Sequence, residues 1–578
     1  MSSDLRRRLF GGSRRVGLVA VVLAAFATAS AEQRTTAGVA AASEREFRAD
    51  RHYLNLPIRN GAPKRKIVLL VDGSEVTSGS VELADSGADW WAYIDISRWR
   101  GHSLTLRSTG PSTPSGGLNA IEASDSIRDS DSLYREKLRP QLHFSPRRGW
   151  MNDPNGLVFY HGEYHLFFQH NPYGWSWGNM HWGHAVSRDL VHWDELGDVL
   201  APDHLGAMFS GSAVVDHGNT SGLGAAGKDP LVLVYTAWGQ PAVQCLAFSD
   251  DGRTFAKYDC NPILPNITPG NRDPRVFWHA RTQRWIMVLF VEEPAGQTDG
   301  RGSSPKKHLV RLFTSRNLRN WEPAGTVNGG IGDDHFLYEC PDLFELPVSG
   351  DPAQTRWILT AADGEYAIGS FEGETFVPEV SRLVGNYGSG FYAAQTFNDV
   401  PDGRRIQIGW GQMPSPGMSF NQLQLLPCEL RLIRTDAGLR LARTPIRELE
   451  SLRDGPDQSG SLGSFHGEIV EVRADLVPRG AELFRFDVRG AKIVYDAGSH
   501  EITINGITAP APLVLGHQRI AVYVDRTLLE VFASDGITYV PVAFIPKPEN
   551  RCVDVNVDAP DAGPLVLRVY ELKSIWTP

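Results

Sequence analysis

The chain has 578 residues, 42% hydrophobic and 21% charged, which describes a globular protein with ample core and excludes global disorder. Gly 58 and Pro 37 make it turn-rich without reaching low-complexity composition, and at roughly 100–200 residues per domain it has room for about three to five. The formal charge of −10, with no basic stripe, argues against a nucleic-acid partner, and five cysteines cannot form a disulfide scaffold.

The N-terminus has the pattern of an export signal. Arg6, Arg7, Arg8, Arg14 and Arg15 precede the apolar run Val16–Phe26, and Ala29-Ser30-Ala31 offers small residues for cleavage. The run falls short of the roughly 20 residues needed to span a bilayer. Residues 1–31 are therefore expected to leave as a signal peptide, giving an exported protein, extracellular or periplasmic, with no stable membrane insertion. This segment carries a charge of +4, so its removal leaves −14.

Residues 45–135 are expected to form a small β-domain and its connector. Lys66–Val71 and Trp91–Ile96 alternate apolar and polar residues, and 110–117 is rich in Pro, Ser and Gly. From 141 to 443, aromatic strand cores recur at Tyr164–Phe168, Leu231–Thr236, Trp285–Phe290, Trp357–Ala361 and Arg405–Trp410. A second echo links Ser187–Trp193 to Ser315–Trp321, with Ser249–Phe255 a looser copy. Five copies of a strand-rich unit predict a five-bladed β-propeller. Residues 444–578 alternate again, at Glu468–Leu476, Glu482–Val488, Lys492–Asp496, Arg519–Phe532 and Leu565–Tyr570, as in a β-sandwich. The expected fold class is all-β.

Three acidic motifs lie in different repeat units: Asn152-Asp153-Pro154-Asn155-Gly156, Arg272-Asp273-Pro274 and Glu339-Cys340-Pro341. Each alone is ordinary turn chemistry. In a propeller, however, the innermost strands of different blades converge at the mouth of one channel, where such carboxylates can share a pocket. Trp150, Gln169, Trp177, Trp182 and Trp410 lie near them in sequence, side chains suited to stacking on sugar faces or bonding hydroxyls, although tryptophans in a propeller also serve as core. Two carboxylates flanking a glycosidic bond suffice for hydrolysis. One must stay ionised while the other holds a proton, and Asp273 beside Arg272 is expected to remain charged.

With these motifs in order, the chain from about 141 to 578 resembles glycoside hydrolase family 32, the β-fructosidases: invertases, inulinases and levanases. Further matches are Phe167–Pro172, Trp177–His184, Phe209–Ser212, Phe391–Phe397, and Val524-Asp525-Arg526 with Glu530-Val531-Phe532. The resemblance implies the propeller and C-terminal sandwich, with Asp153 as nucleophile, Glu339 as acid/base and Asp273 as transition-state stabiliser. Substrate contacts are implied for Asn152, Gln169, Trp177, Phe209, Ser210, Arg272 and Trp410. It implies retaining double displacement with no metal or organic cofactor. Cys340 would be a thiol that tunes its neighbours or a small buried residue without a chemical part. The N-terminal β-domain is similar to that of certain bacterial levanases, which tilts the substrate from sucrose towards fructan, levan or inulin. Gly388–Gly390 and Gly417–Gln422 depart from the family's usual residues, and both stretches are candidates for the pocket rim. A fructosyltransferase on the same scaffold and a non-catalytic fructan-binding propeller are the competing readings. The Cys245/Cys260 pair is a candidate disulfide, and no oligomeric state is assigned.

Overall fold

The computed structural model describes residues 43–109, 116–296, 305–331, 334–460, 465–558 and 565–576. The expected signal peptide and most of the 110–117 connector lie outside them.

Each repeated strand core of the sequence is the second strand of a four-stranded antiparallel blade. Blade 1 runs Gly149–Tyr160, Glu163–Asn171, His181–Ser187 and Asp194–Leu200. Blade 2 begins at Ala207–Val215, blade 3 at Arg272–His279, blade 4 at Asp342–Val348 and blade 5 at Phe391–Thr396. The first strands face one another around a common axis: that of blade 1 touches those of blades 2 and 5, and that of blade 2 touches that of blade 3. The second strands of blades 1, 2, 3 and 5 are largely buried, as in Leu231–Trp238 and Arg284–Pro294, because each is covered on both faces by neighbouring blades, whereas that of blade 4, Asp351–Thr360, is buried only at its end.

The other echo is one turn used three times, after the third strands of blades 1, 2 and 3. Asp189 Oδ1 accepts the backbone N–H groups of Val191 and His192, Asp251 Oδ1 those of Arg253 and Thr254, and Asn317 Oδ1 those of Arg319 and Asn320. The next residue is left-handed each time: Leu190 at φ 66°, Gly252 at 66° and Leu318 at 60°. Trp193 and Trp321 close the two stricter copies by donating to the carbonyls of Leu190 and Leu318.

The N-terminal β-domain packs sheets built from Ser43–Arg48, Ser103–Thr109, Arg65–Val71 and Ser74–Val81, and from Trp90–Asp95, Tyr53–Ile58 and Glu122–Ser124. The C-terminal sandwich has two five-stranded sheets around Val472, Phe484, Ile493, Val522 and Val531. Arg519–Phe532 is a hairpin, Gln518–Val524 and Leu528–Ala533. Among the described residues, no helix is long and apolar enough to cross a membrane.

Candidate active site

The innermost strands reach one end of the propeller with their ladders interrupted. Register shifts fall between Met151 and Pro154 in blade 1, Phe209 and Gly211 in blade 2, Arg272 and Arg275 in blade 3, and Tyr392 and Gln395 in blade 5. A bulge releases a residue from strict alternation and re-aims its side chain. Asp153, Ser210, Asp273 and Tyr392 all lie at or within these interruptions. Blade 4 uses another device: Glu339 and Cys340, just before its first strand, are both left-handed, at φ 54° and 42°, and Asp273 is at 63°. Such backbone is costly for non-glycine residues and persists only where surrounding contacts hold it.

These devices bring the three acidic motifs together. Asp153 Oδ2 accepts from Ser210 Oγ at 2.6 Å, and Oδ1 from Asn152 Nδ2 at 3.1 Å. Cys340 Sγ stands 3.7 Å from Asp153 Oδ2 and 3.5 Å from Asp273 Oδ2, while the Cys340 N–H donates to Asp273 Oδ2 at 3.1 Å. Glu339 accepts from Arg272 Nη2 at 2.8 Å and from the Tyr392 hydroxyl at 2.9 Å. One thiol thus links two aspartates, and its sequence neighbour is the glutamate.

The electrostatics correct one expectation. Arg272 is 3.9 Å from Asp273 and makes its close contact with Glu339 instead, with Glu292 at 3.6 Å and the Phe290 ring beneath it. Burial, with Arg272 opposing it and Glu339 and Asp153 adding to it, pushes the Asp273 carboxyl up to about 7. Asp273 is therefore a proton-holding group near neutral pH rather than a permanently charged one. Burial also raises Asp153, against the lowering effect of its Ser210 and Asn152 hydrogen bonds. Burial and the surrounding carboxylates drive the Cys340 thiol and burial and Glu339 drive the Tyr392 phenol well above their ordinary values, so both remain donors.

Aromatic side chains form two walls. Trp410 meets Trp150 and Tyr392 edge-to-face, at 5.9 and 6.0 Å between ring centres. Trp177 stands edge-on to Phe209 at 5.8 Å, and Phe209 stacks flat on Trp238 at 4.6 Å. Trp182, by contrast, is wholly buried core. Gln169 is also buried and donates to the Met208 carbonyl at 2.8 Å, next to Phe209 and Ser210. Tyr392 and Trp238 were not singled out from the sequence. Tyr392 lies inside the Phe391–Phe397 match, whereas Trp238 ends a strand core with nothing local to mark it. Among the described residues, no group of three or more His, Cys, Asp or Glu could hold a metal ion.

One other expectation changes, that of a disulfide, and the Gly388–Gly390 stretch has a packing partner that its sequence did not mark. Gly388 and Gly390 pack against the sandwich: a Cβ on Gly388 would stand 2.0 Å from the Pro541 carbonyl, and Gly390 N–H donates to that oxygen. Cys245 is buried, Cys260 is exposed, and all five cysteines are free, so the candidate disulfide is absent.

A propeller whose channel mouth gathers two aspartates, a glutamate and aromatic walls has the architecture of a sugar-cleaving enzyme. Residues 143–445 match the glycosyl hydrolases family 32 N-terminal domain. The levanase of Bacillus subtilis (strain 168) is 36% identical over 515 residues, covering 79% of this chain and 73% of that levanase. An extracellular exo-inulinase of Aspergillus niger is 37% identical over 532 residues, covering 77% and 96%. The crystal structure of exo-inulinase from Aspergillus awamori superposes with a TM-score of 0.67 at 27% identity, covering 77% of this chain and all of that one. The chain belongs to glycosyl hydrolase family 32, and it is a β-fructofuranosidase-type glycosidase.

Proposed function

We propose that this is an exported, retaining exo-acting hydrolase that releases fructose from β-linked fructan, with sucrose as a smaller substrate. Asp153 attacks the anomeric carbon while Glu339 protonates the leaving oxygen. Water, deprotonated by Glu339, then cleaves the fructosyl–Asp153 ester and releases fructose. Asp273 holds sugar hydroxyls through both transition states. Asn152, Gln169, Ser210 and Arg272 orient the sugar and carboxylates, and Trp177, Phe209 and Trp410 supply its apolar contacts. The observation that carries this reading is the Cys340 thiol within 3.7 Å of both aspartates, on the residue next to Glu339.

Export follows from the N-terminal pattern, and the mature chain is expected to begin at Glu32. The expected organisation is a signal peptide at 1–31, the β-domain and connector at 45–135, the propeller at 141–443 and the sandwich at 444–578. The similarity to a levanase and to extracellular exo-inulinases supports fructan as substrate and an extracellular site of action.

The test is a time course of products on levan, inulin and sucrose, with the anomeric form of fructose read by NMR at early times. Fructose alone, released first as the β-anomer, supports the reading. Oligomers accumulating at high sucrose would make the enzyme a transferase, and α-fructose would exclude retention. Asp153→Ala and Glu339→Ala should each lower kcat by roughly three orders of magnitude or more with the fold intact.

A further inference from the structure

The segment 172–180 joins the second and third strands of blade 1 and carries Trp177. It has no regular structure of its own, and ordering such a loop costs backbone entropy that its contacts must offset. Those contacts come from outside the blade. Tyr173 is 8% exposed and belongs to the hydrophobic core of the N-terminal β-domain, with Leu56, Ile67, Val81 and Ile94. Trp175 packs partly buried against the same core. Gly79 makes the approach possible, since a Cβ there would lie 3.0 Å from the Tyr173 ring.

The far end of the loop is fixed to the same domain strand, Ser74–Val81. Asn179, left-handed at φ 45°, accepts the Ser80 N–H at 2.7 Å and donates to the Ser80 carbonyl at 2.8 Å. Asn171 closes the loop from within, donating to the Ser176 carbonyl at 2.7 Å and accepting from Asn179 at 2.9 Å. On the opposite side Trp175 donates to the Phe420 carbonyl and accepts from Asn421. Trp177 therefore sits between two anchor points on one strand of another domain, and its ring lands against Phe209.

We propose that the N-terminal β-domain splints the 172–180 loop and thereby sets the position of the sugar-contacting Trp177, with Gly79, Ser80, Tyr173 and Asn179 as positioning residues. This rests on the reading of Trp177 as a substrate contact. The domain then acts on the sugar being cleaved, whatever the length of the chain attached to it. A domain that gripped polymer would affect only long substrates.

The experiment compares Asn179→Gly, Gly79→Leu and Trp177→Ala in the full chain, on sucrose and on levan. Asn179→Gly keeps the left-handed backbone and removes both bonds to Ser80 together with the bond to Asn171, whereas Gly79→Leu acts from the domain side alone by pushing on Tyr173. Each should raise KM roughly tenfold on both substrates with kcat within about twofold, and Asn179→Gly should add nothing in the Trp177→Ala background. Unchanged KM in Asn179→Gly, with Trp177→Ala impaired, overturns the splint and leaves the site reading standing. A rise on levan but not on sucrose also overturns it, in favour of polymer binding by the domain. Unchanged KM in Trp177→Ala removes the site reading of that residue and the splint with it. Should Gly79→Leu fail to fold, Gly79→Ala takes its place, with a smaller rise in KM on both substrates expected and an unchanged KM overturning the splint.

Discussion

Asp273 shows how the site is held against its own stability. Its folded carboxyl, at about 7, lies above the ordinary 3.8, so the fold binds this proton more tightly than the unfolded chain does. The stabilisation is fully present below about 3.8 and is lost as pH rises through about 7, beyond which a buried charge is carried at constant cost. Asp273→Asn keeps an oxygen for the Cys340 N–H and cannot ionise. Its melting temperature should exceed that of the wild type, by a margin that widens as pH is raised from below 7 to above it, while turnover collapses. Thermal unfolding on either side of pH 7 checks this, and a constant margin would show that the charge is not the cause. Cys340 gives a second test at this scale. Its thiol is held neutral by burial and by the carboxylates around it, and the thiolate is the reactive form. Alkylation followed by mass spectrometry should label exposed Cys260 and Cys552 quickly and leave Cys340 largely unmodified.

At the scale of the strand, placement depends on where the ladder breaks. The recurrence of the apolar cores Tyr164–Phe168, Leu231–Thr236 and their equivalents was enough to read five blades, because the buried stretch of each second strand leaves an apolar trace. The Asp189, Asp251 and Asn317 turns showed in the sequence as an echo, because one side chain bonding two backbone N–H groups restricts residue type. The bulges beside Asp153, Asp273 and Tyr392 left no such trace, since a register shift is a relation between two strands. The three carboxylates were found through their motifs, but the partner of Arg272 was not, because sequence adjacency to Asp273 says nothing about which way a guanidinium reaches. The packing of Gly388 was illegible for a related reason: what excludes a side chain there is Pro541, more than 150 positions away in the chain. Gly388→Ala should therefore destabilise the protein by about 1–3 kcal/mol through overpacking at the sandwich contact. Denaturant unfolding measures that loss. KM for sucrose should be unchanged, and a changed KM would return this stretch to the pocket rim.

For the whole molecule, polar side chains tie the blades at the axis and lock the sandwich on. Arg275 of blade 3 pairs with Asp342 of blade 4 at 2.8 Å and donates to Asn398, just after the first strand of blade 5, which in turn donates to the Ala213 carbonyl of blade 2. The sandwich is held by His143, which precedes the first blade and lies wholly buried between Asp525 at 2.7 Å and Glu530 at 2.6 Å. Asp525 also accepts the N–H groups of Gln141 and Leu142, and Glu530 that of Leu426 and the Tyr539 hydroxyl. The sandwich residues matched in the sequence thus act as a receptor for the propeller's first residues. Burial alone would lower the His143 imidazolium, but the hydrogen bonds and charges of the two carboxylates raise it to about 9 from 6.5. Its stabilisation is fully present below about 6.5 and is lost as pH rises through about 9, whereas that of Asp525, whose carboxyl is depressed by His143 against its burial, is lost as pH falls below the usual carboxylate range. His143→Ala leaves two carboxylates buried without their cation, and should cost about 3–5 kcal/mol at neutral pH. The gap between wild type and variant should narrow as pH rises through about 9, because the wild type loses the proton that the variant never held. Denaturant unfolding of both proteins across that range measures the slope directly, and parallel curves would mean that His143 is neutral in the clamp.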